Sequence, residues 1–166
     1  MGALCKVVDA VLFIFFLFIA IVAPLIDAQT CLPQHLFLPF LVELKNWHVQ
    51  EFGDYLVSEK PHFFVGIVWL ELLLQWPLAV ASVYGIVAGK SWFSTTCLIY
   101  GVSTLTAMVA ILAELTLSNR ASDQLLMIYF PFLGFAILAF LRGLLTHSGK
   151  SKAIAKRLVL NRKKRA

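Results

Sequence analysis

Residues 63–89 read FFVGIVWLELLLQWPLAVASVYGIVAG, and the fold turns on how this stretch is taken. It is long and apolar enough to cross a bilayer, which needs roughly 20 predominantly apolar residues. Yet Glu71 sits in its body, with Gln75 four residues on and Pro77 two beyond that. A carboxyl group inside a hydrocarbon span costs about 2.5–3.5 kcal/mol on insertion scales. Such a group is expected to face a partner or a cavity rather than lipid.

The rest of the chain has the same character. Of its 166 residues 60% are hydrophobic and only 14% are charged, with a mean hydropathy of +0.85. That apolar fraction is well above the usual soluble range. The expectation is an all-α integral membrane protein, a four-transmembrane-helix bundle with a luminal loop or short helix between helices 1 and 2. Residues 1–146 form the membrane domain in this reading, and 147–166 a basic cytosolic tail. Eight of the 14 basic residues lie from Lys150 onward with no acid among them, leaving six against nine acids in the body. Nucleic-acid binding is a poor account of that charge, because a basic tail also holds its end in the cytosol.

Span one is expected from about Val7 to Ile26. A cleaved leader is the rival reading, with Lys6 before the apolar run and Asp27-Ala28-Gln29 after it. The run is long for a leader, and Pro24 and Asp27 sit where small neutral residues belong, which favours a retained helix. The connection over Thr30–His62 holds Pro33, Pro39 and Pro61. Within it, Leu36–Phe52 suits a short helix at the interface, with Trp47 and Tyr55 at headgroup depth. Spans two, three and four are expected at Phe63–Ala88, Thr96–Leu117 and Leu125–Leu145, with Ser122 or Asp123 capping the last. Four spans place both termini on one side. Lys6, Lys90 and the basic tail then share the cytosolic side, with Lys45, Lys60 and Arg120 opposite.

Three carboxyl groups converge in this topology: Asp27 at the end of span one, Glu71 roughly 12 Å below the same face at 1.5 Å per residue, and Asp54 in the covering loop. No basic residue in the spans answers them, since Arg142 lies towards the other end. Crowded carboxylates in a low dielectric cannot all ionise, so the site would welcome a cationic amine or a hydroxyl donor. Helical spacing puts Glu71, Gln75, Leu78 and Ser82 on one face, and Tyr100, Ser103, Ala107 and Glu114 on another. Pro24, Pro77 and Pro131 are expected to bend their helices and leave room between them. The blander readings are that Asp27 and Glu71 are structural glue hydrogen-bonded to neighbouring helices, and that Tyr100 and Tyr129 are core or interface residues. Glu114 is near enough to the end of span three to reach water. His35, His48 and His62 have no ligand spacing, so no metal is expected. Cys5, Cys31 and Cys97 lack a disulfide or metal pattern. No catalytic triad, phosphate loop or cofactor motif is present.

The motifs Pro24-x-x-Asp27-x-Gln29-x-x-Leu32-Pro33, Trp47-x-x-x-Glu51-Phe52-x-Asp54 and Glu71-Leu72-x-x-Gln75-x-Pro77 resemble those of the sigma-2 receptor family, which carries the EXPERA domain. Ile99-Tyr100-x-Val102-x-Thr104-x-Thr106 and Tyr129-x-Pro131 fit as well. The resemblance implies a four-helix endoplasmic-reticulum protein, expected as a homodimer, that binds sterols and cationic amphiphiles without catalysis and serves sterol homeostasis or lipid transport. It implies that Asp27 pairs with the ligand amine, Glu71 supports it, Asp54 braces the loop, and Trp47, Phe52 and Tyr129 enclose the ligand. Gln75 and Tyr100 complete the expected ligand-binding set. Ala107 and Phe132 depart from the family's threonine and tyrosine. The same domain occurs in emopamil-binding sterol isomerases, where a histidine precedes the glutamate by one turn. Here that position is Ile67, which argues against isomerase activity, the second reading. A structural membrane scaffold is the third. Lys163 and Lys164 resemble a dilysine retrieval signal, and a basic tail attracted to anionic lipid is the alternative.

Overall fold

The computed structural model describes residues 3–163, with side chains described for residues 5–146. The side chains of Lys163 and Lys164, the expected retrieval signal, lie outside that range. The protein is an all-α membrane bundle of four spans, with no strand among the described residues. Helix α1 (Ala3–Leu25) is followed by 3-10 turns at Asp27–Thr30 and Gln34–Leu36. Two short helices, α2 (Pro39–Phe52) and α3 (Tyr55–Glu59), make up the connection. Span two is α4 (His62–Leu70), a π-helical turn (Glu71–Gln75) and α5 (Trp76–Val87). Helices α6 (Phe93–Leu117) and α7 (Asp123–Lys163) complete the bundle.

Local chemistry sets these boundaries. Pro39 begins α2, where its missing N–H would have had no helical partner anyway. Gly53 ends α2 in the left-handed region at φ 65°, a conformation that costs glycine little. Asp54 then caps α3 by accepting from the backbone N–H groups of Leu56 (3.1 Å) and Val57 (3.2 Å). Ser122 caps α7 by accepting from Leu125 N at 3.1 Å.

Span two, expected to bend at Pro77, is also not wound regularly as the i, i+4 spacing assumed. The π turn lies just upstream of Pro77, which cannot donate to Leu73's carbonyl. Adding a residue to one turn re-phases the two halves by about 100°, one residue's share of a 3.6-residue turn. Of the face assigned by spacing, Glu71 lines the cavity while Gln75 and Ser82 pack against α6. Gln75 Nε2 donates to Ser103 Oγ (3.0 Å), and Ser82 Oγ donates to Thr96 Oγ1 (2.9 Å), both joining span two to α6. Trp76 Nε1 donates to the carbonyl of Ala20 (3.0 Å), joining α5 to α1.

The core has two clusters. Leu12, Phe15, Phe16 and Ile19 of α1 pack with Ala79, Cys97, Tyr100 and Ala139. Towards the α2–α3 end, Leu56, Phe64, Val68, Met108, Ile111 and Leu125 form the second. Helix α1 supplies half of the first cluster, while α6 contributes to both and is the most buried of the four spans. Large apolar side chains such as Ile14, Leu73, Val80 and Met127 point outward, as lipid-facing residues do. Tyr55 does not lie open at the surface: it is buried in the second cluster, and its hydroxyl lies 2.9 Å from Ser118 Oγ and 3.2 Å from Glu114 Oε1. Burial first of all raises its phenol above the usual range. Glu114 is thus engaged rather than simply hydrated. Arg120 closes this corner, lying over the Tyr55 ring at 4.1 Å and pairing with Glu59.

Helices α6 and α7 meet backbone to backbone. A Cβ at Gly101 would stand 2.7 Å from Phe140 Cα, and one at Gly143 would stand 2.6 Å from Leu98 N and 2.7 Å from Ser94 O. Small residues let membrane helices approach this closely.

At the far end from α2, Arg142 is held by Asp9 of α1. Its Nε donates to Oδ1 at 2.7 Å and its Nη2 to Oδ2 at 3.0 Å, with the guanidinium 5.6 Å from the Phe93 ring centre. Thr146 is a further partner. Side-chain exposures of 12% and 20% place the pair between the buried and surface limits. Asp9→Asn is expected to lower stability by about 2 kcal/mol, because it strands a partly desolvated guanidinium. Asp9→Leu with Arg142→Met should recover most of the loss; thermal melting in detergent checks both.

Candidate functional site

A cavity of about 510 Å³ opens between the spans beneath α2 and α3. That is within the range of small-molecule sites. Its walls are mostly apolar: Ile19 and Val22 from α1, Phe64 and Ile67 from α4, Met108 from α6, and Phe132 from α7. The structure brings Asp27, Asp54 and Glu71 together on these walls, with Trp47, Phe52 and Tyr129 beside them. Gln75 and Tyr100 are not among the lining residues. Gln75 bonds to Ser103, and Tyr100 is buried edge-on against Phe15 and Phe16 at centroid distances of 5.9 and 5.0 Å.

The three acids are not equivalent. Asp54 is fully buried and saturated: besides the two cap bonds, Oδ2 accepts from Tyr129 Oη at 2.8 Å and lies 3.4 Å from His48 Nε2. It ties α2, α3 and α7 into a roof. Asp27 begins the 3-10 turn after α1, and Glu71 begins the π turn of span two. Among the described residues neither carboxylate has a hydrogen-bond or ion-pair partner; the ion pairs are Arg120–Glu59 and Arg142–Asp9, and His48 contacts Asp54. The expected imbalance of three acids is therefore narrowed to two, because Asp54 is answered by His48, Tyr129 and backbone. A π turn is a frequent device at functional sites, and here it carries the acid that faces the cavity.

Two residues escaped the sequence reading. His48 lines the cavity, and its ring lies 5.0 Å from that of Phe52. Lys45, only 5% exposed, also forms part of the wall, yet its ammonium reaches the backbone carbonyl of Gln29 rather than a carboxylate. The i, i+3 spacing of Lys45 and His48 on one helical face was the available signal. Trp47 lines the cavity while remaining 54% exposed, so it borders both cavity and surroundings. Ile67 is a wall residue, and Ala107 is buried outside the wall. Among the described residues no three His, Cys, Asp or Glu side chains gather as metal ligands would.

Fold and site together define a multi-pass membrane protein with an internal apolar cavity that carries two unpaired carboxyl groups. The sequence profile of EXPERA, the EXPanded EBP superfamily, matches residues 40–143, and the chain belongs to that family. The match begins within α2, so α1 and Asp27 precede it. Among curated relatives, the Sigma intracellular receptor 2 of Macaca fascicularis is 31% identical over 109 residues, 65% of this chain and 62% of that protein. The Homo sapiens protein of the same name is 33% identical over 88 residues, 52% of this chain and 50% of the relative. The chain thus spans less than two thirds of either. The Xenopus tropicalis protein of that name is 25% identical over 154 residues, covering 85% of this chain and 90% of the relative.

Proposed function

We propose that the chain is a non-enzymatic binder of sterols, oxysterols and hydrophobic amines in the endoplasmic-reticulum membrane, acting in sterol homeostasis or lipid transport. The observation that carries this is the pair Asp27 and Glu71, facing an apolar cavity of about 510 Å³ without a partner among the described residues. A carboxylate in such a place gains most from a charge-assisted hydrogen bond to an incoming ammonium or hydroxyl. Asp27 is assigned the ligand amine and Glu71 the supporting bond. Asp54 holds the roof, and Trp47, Phe52 and Tyr129 enclose the ligand. Gln75 and Tyr100 act behind the wall, by fixing α6 against its neighbours. The receptor names of the relatives agree with a binding role. Isomerase chemistry needs two proton-handling groups in reach of the ring. Ile67, at the position where the resemblance places a histidine, cannot hold a proton.

In this reading residues 1–146 are the membrane domain and 147–166 a cytosolic tail. Both termini are cytosolic by the distribution of Lys6, Lys90 and the tail. Lys163 and Lys164 act in retrieval, and two copies form the working unit. The test is a titration of the purified chain in neutral nanodiscs with a hydrophobic tertiary amine and with an oxysterol. Saturable binding of both, with a raised melting temperature, is expected. Binding of neither overturns the reading, and growth rescue of an isomerase-deficient yeast strain would replace it with catalysis.

A further inference from the structure

Lys45 and Lys60 form a feature that the amine site does not use. Lys45 Nζ donates to the backbone carbonyl of Gln29 at 3.5 Å, and Lys60 Nζ donates to the same oxygen at 3.2 Å. Both ammonium groups reach one atom, so they are no more than about 6.7 Å apart. Among the described residues no carboxylate pairs with either of them. Their shared partner is neutral and fixed. Gln29 is buried in the 3-10 turn, and its side-chain Nε2 donates to the carbonyls of Leu25 (2.8 Å) and Leu41 (3.1 Å). The carbonyl therefore cannot follow the lysines, and Lys45 cannot leave for water without exposing its wall of the cavity.

The arrangement is costly unless an anion joins it. Burial, and after it the neighbouring Lys60, hold the Lys45 ammonium below the usual lysine range. One oxyanion between the two ammonium groups would remove their repulsion and supply each with a charged acceptor. The surroundings favour a lipid as its source. Helix α2 exposes Phe40 (59%) and Leu44 (48%) beside Trp47, a surface that suits the acyl–headgroup boundary. Basic pockets between membrane helices on the cytoplasmic side take lipid head groups by the same charge pairing, which these two lysines offer on the opposite side.

We propose that Lys45, in the cavity wall, and Lys60, which shares its Gln29 carbonyl, form an anion site that takes the phosphate or carboxylate of an anionic lipid. It shares the cavity wall with the amine site through Lys45 but does not depend on the amine reading. A lipid seated there would lie across α2 and the turn after α1, two of the elements that cover the cavity.

The test compares the full chain in phosphatidylcholine nanodiscs with and without phosphatidic acid, reading retained lipid by native mass spectrometry and melting temperature in parallel. The wild type should retain phosphatidic acid preferentially and melt higher with it. Lys45→Gln and Lys60→Gln should each cut that preference by about fivefold, while Lys45→Arg keeps it. Lys60→Gln, at the more exposed position, keeps the test decisive if Lys45→Gln does not fold. An unchanged preference in the Lys60→Gln variant and in the doubly substituted chain would assign the effect to the basic tail and overturn the proposal. Inorganic phosphate forms a second arm. A higher melting temperature with phosphate but none with phosphatidic acid would overturn the lipid as the source.

Discussion

Asp27→Asn is expected to weaken binding of a hydrophobic amine at least about 30-fold, with little change for a neutral sterol. Truncating one partner of a buried, hydrogen-bonded charge pair costs about 2 kcal/mol or more, and each 1.4 kcal/mol is tenfold. Glu71→Gln should act in the same direction. The two should not add, because both acids serve one ligand. Stability separates this from a scaffold role. The side chains of Asp27 and Glu71 have no bonds to lose within the described protein. Removing an unsatisfied carboxylate from an apolar cavity should therefore leave the melting temperature unchanged or raise it. Glue residues would behave oppositely: stability would fall, and no ligand would restore it. Isothermal titration together with melting of each variant checks both. Unchanged amine affinity in either variant would overturn the roles assigned.

Substitution at the α6–α7 crossing should produce the largest loss of stability. At Gly101 an added methyl group would stand 2.7 Å from Phe140 Cα, and its neighbours are backbone that cannot rotate away. Gly143 faces Leu98 N and Ser94 O in the same way. Overpacking a fitted interior costs about 1–3 kcal/mol, and the upper end applies where backbone must move. Gly101→Ala is expected to cost about 3 kcal/mol and Gly101→Leu to prevent folding, read as loss of the monodisperse peak and of the melting transition. Gly66→Ala is the control, since its added Cβ would meet nothing within 4 Å. A melting temperature for Gly101→Ala equal to that of the control would refute the close crossing.

Much of this was legible in the chain. Hydropathy alone marks four spans, because a bilayer imposes both length and composition. Topology then forces Asp27, Asp54 and Glu71 towards one end. The partners of those acids were not legible. Asp54 looked like one of three unpaired carboxylates, but Gly53 and the short α3 turn its side chain inward to two backbone donors, Tyr129 and His48. Lys45 counted only towards topology and His48 only as lacking metal-ligand spacing, because nothing in the sequence showed that α2 folds over the cavity. Asp9 and Arg142 are 133 residues apart; pairing across that separation is set by which helices end up adjacent, which spacing within one helix does not reveal. Gln75 was assigned to the cavity from i, i+4 spacing with Glu71, a rule that holds only for regular winding. The glycines of α6 and α7 carried a close-approach signal that did not say which helix approached.

The wide turn at Glu71–Gln75 has a consequence for how its acid is kept in place. Glu71's carboxylate has no fastening of its own, so its direction is inherited from the two rods that the turn joins. Below the turn, Trp76 grips Ala20 and Ser82 grips Thr96; above it, Phe64 and Val68 are anchored among apolar neighbours. A chain shortened by one residue inside the turn could wind regularly, but the lower rod would swivel and both grips would slip. The carboxyl group is thus aimed by latches on either side of it, and it remains free to turn towards whatever enters.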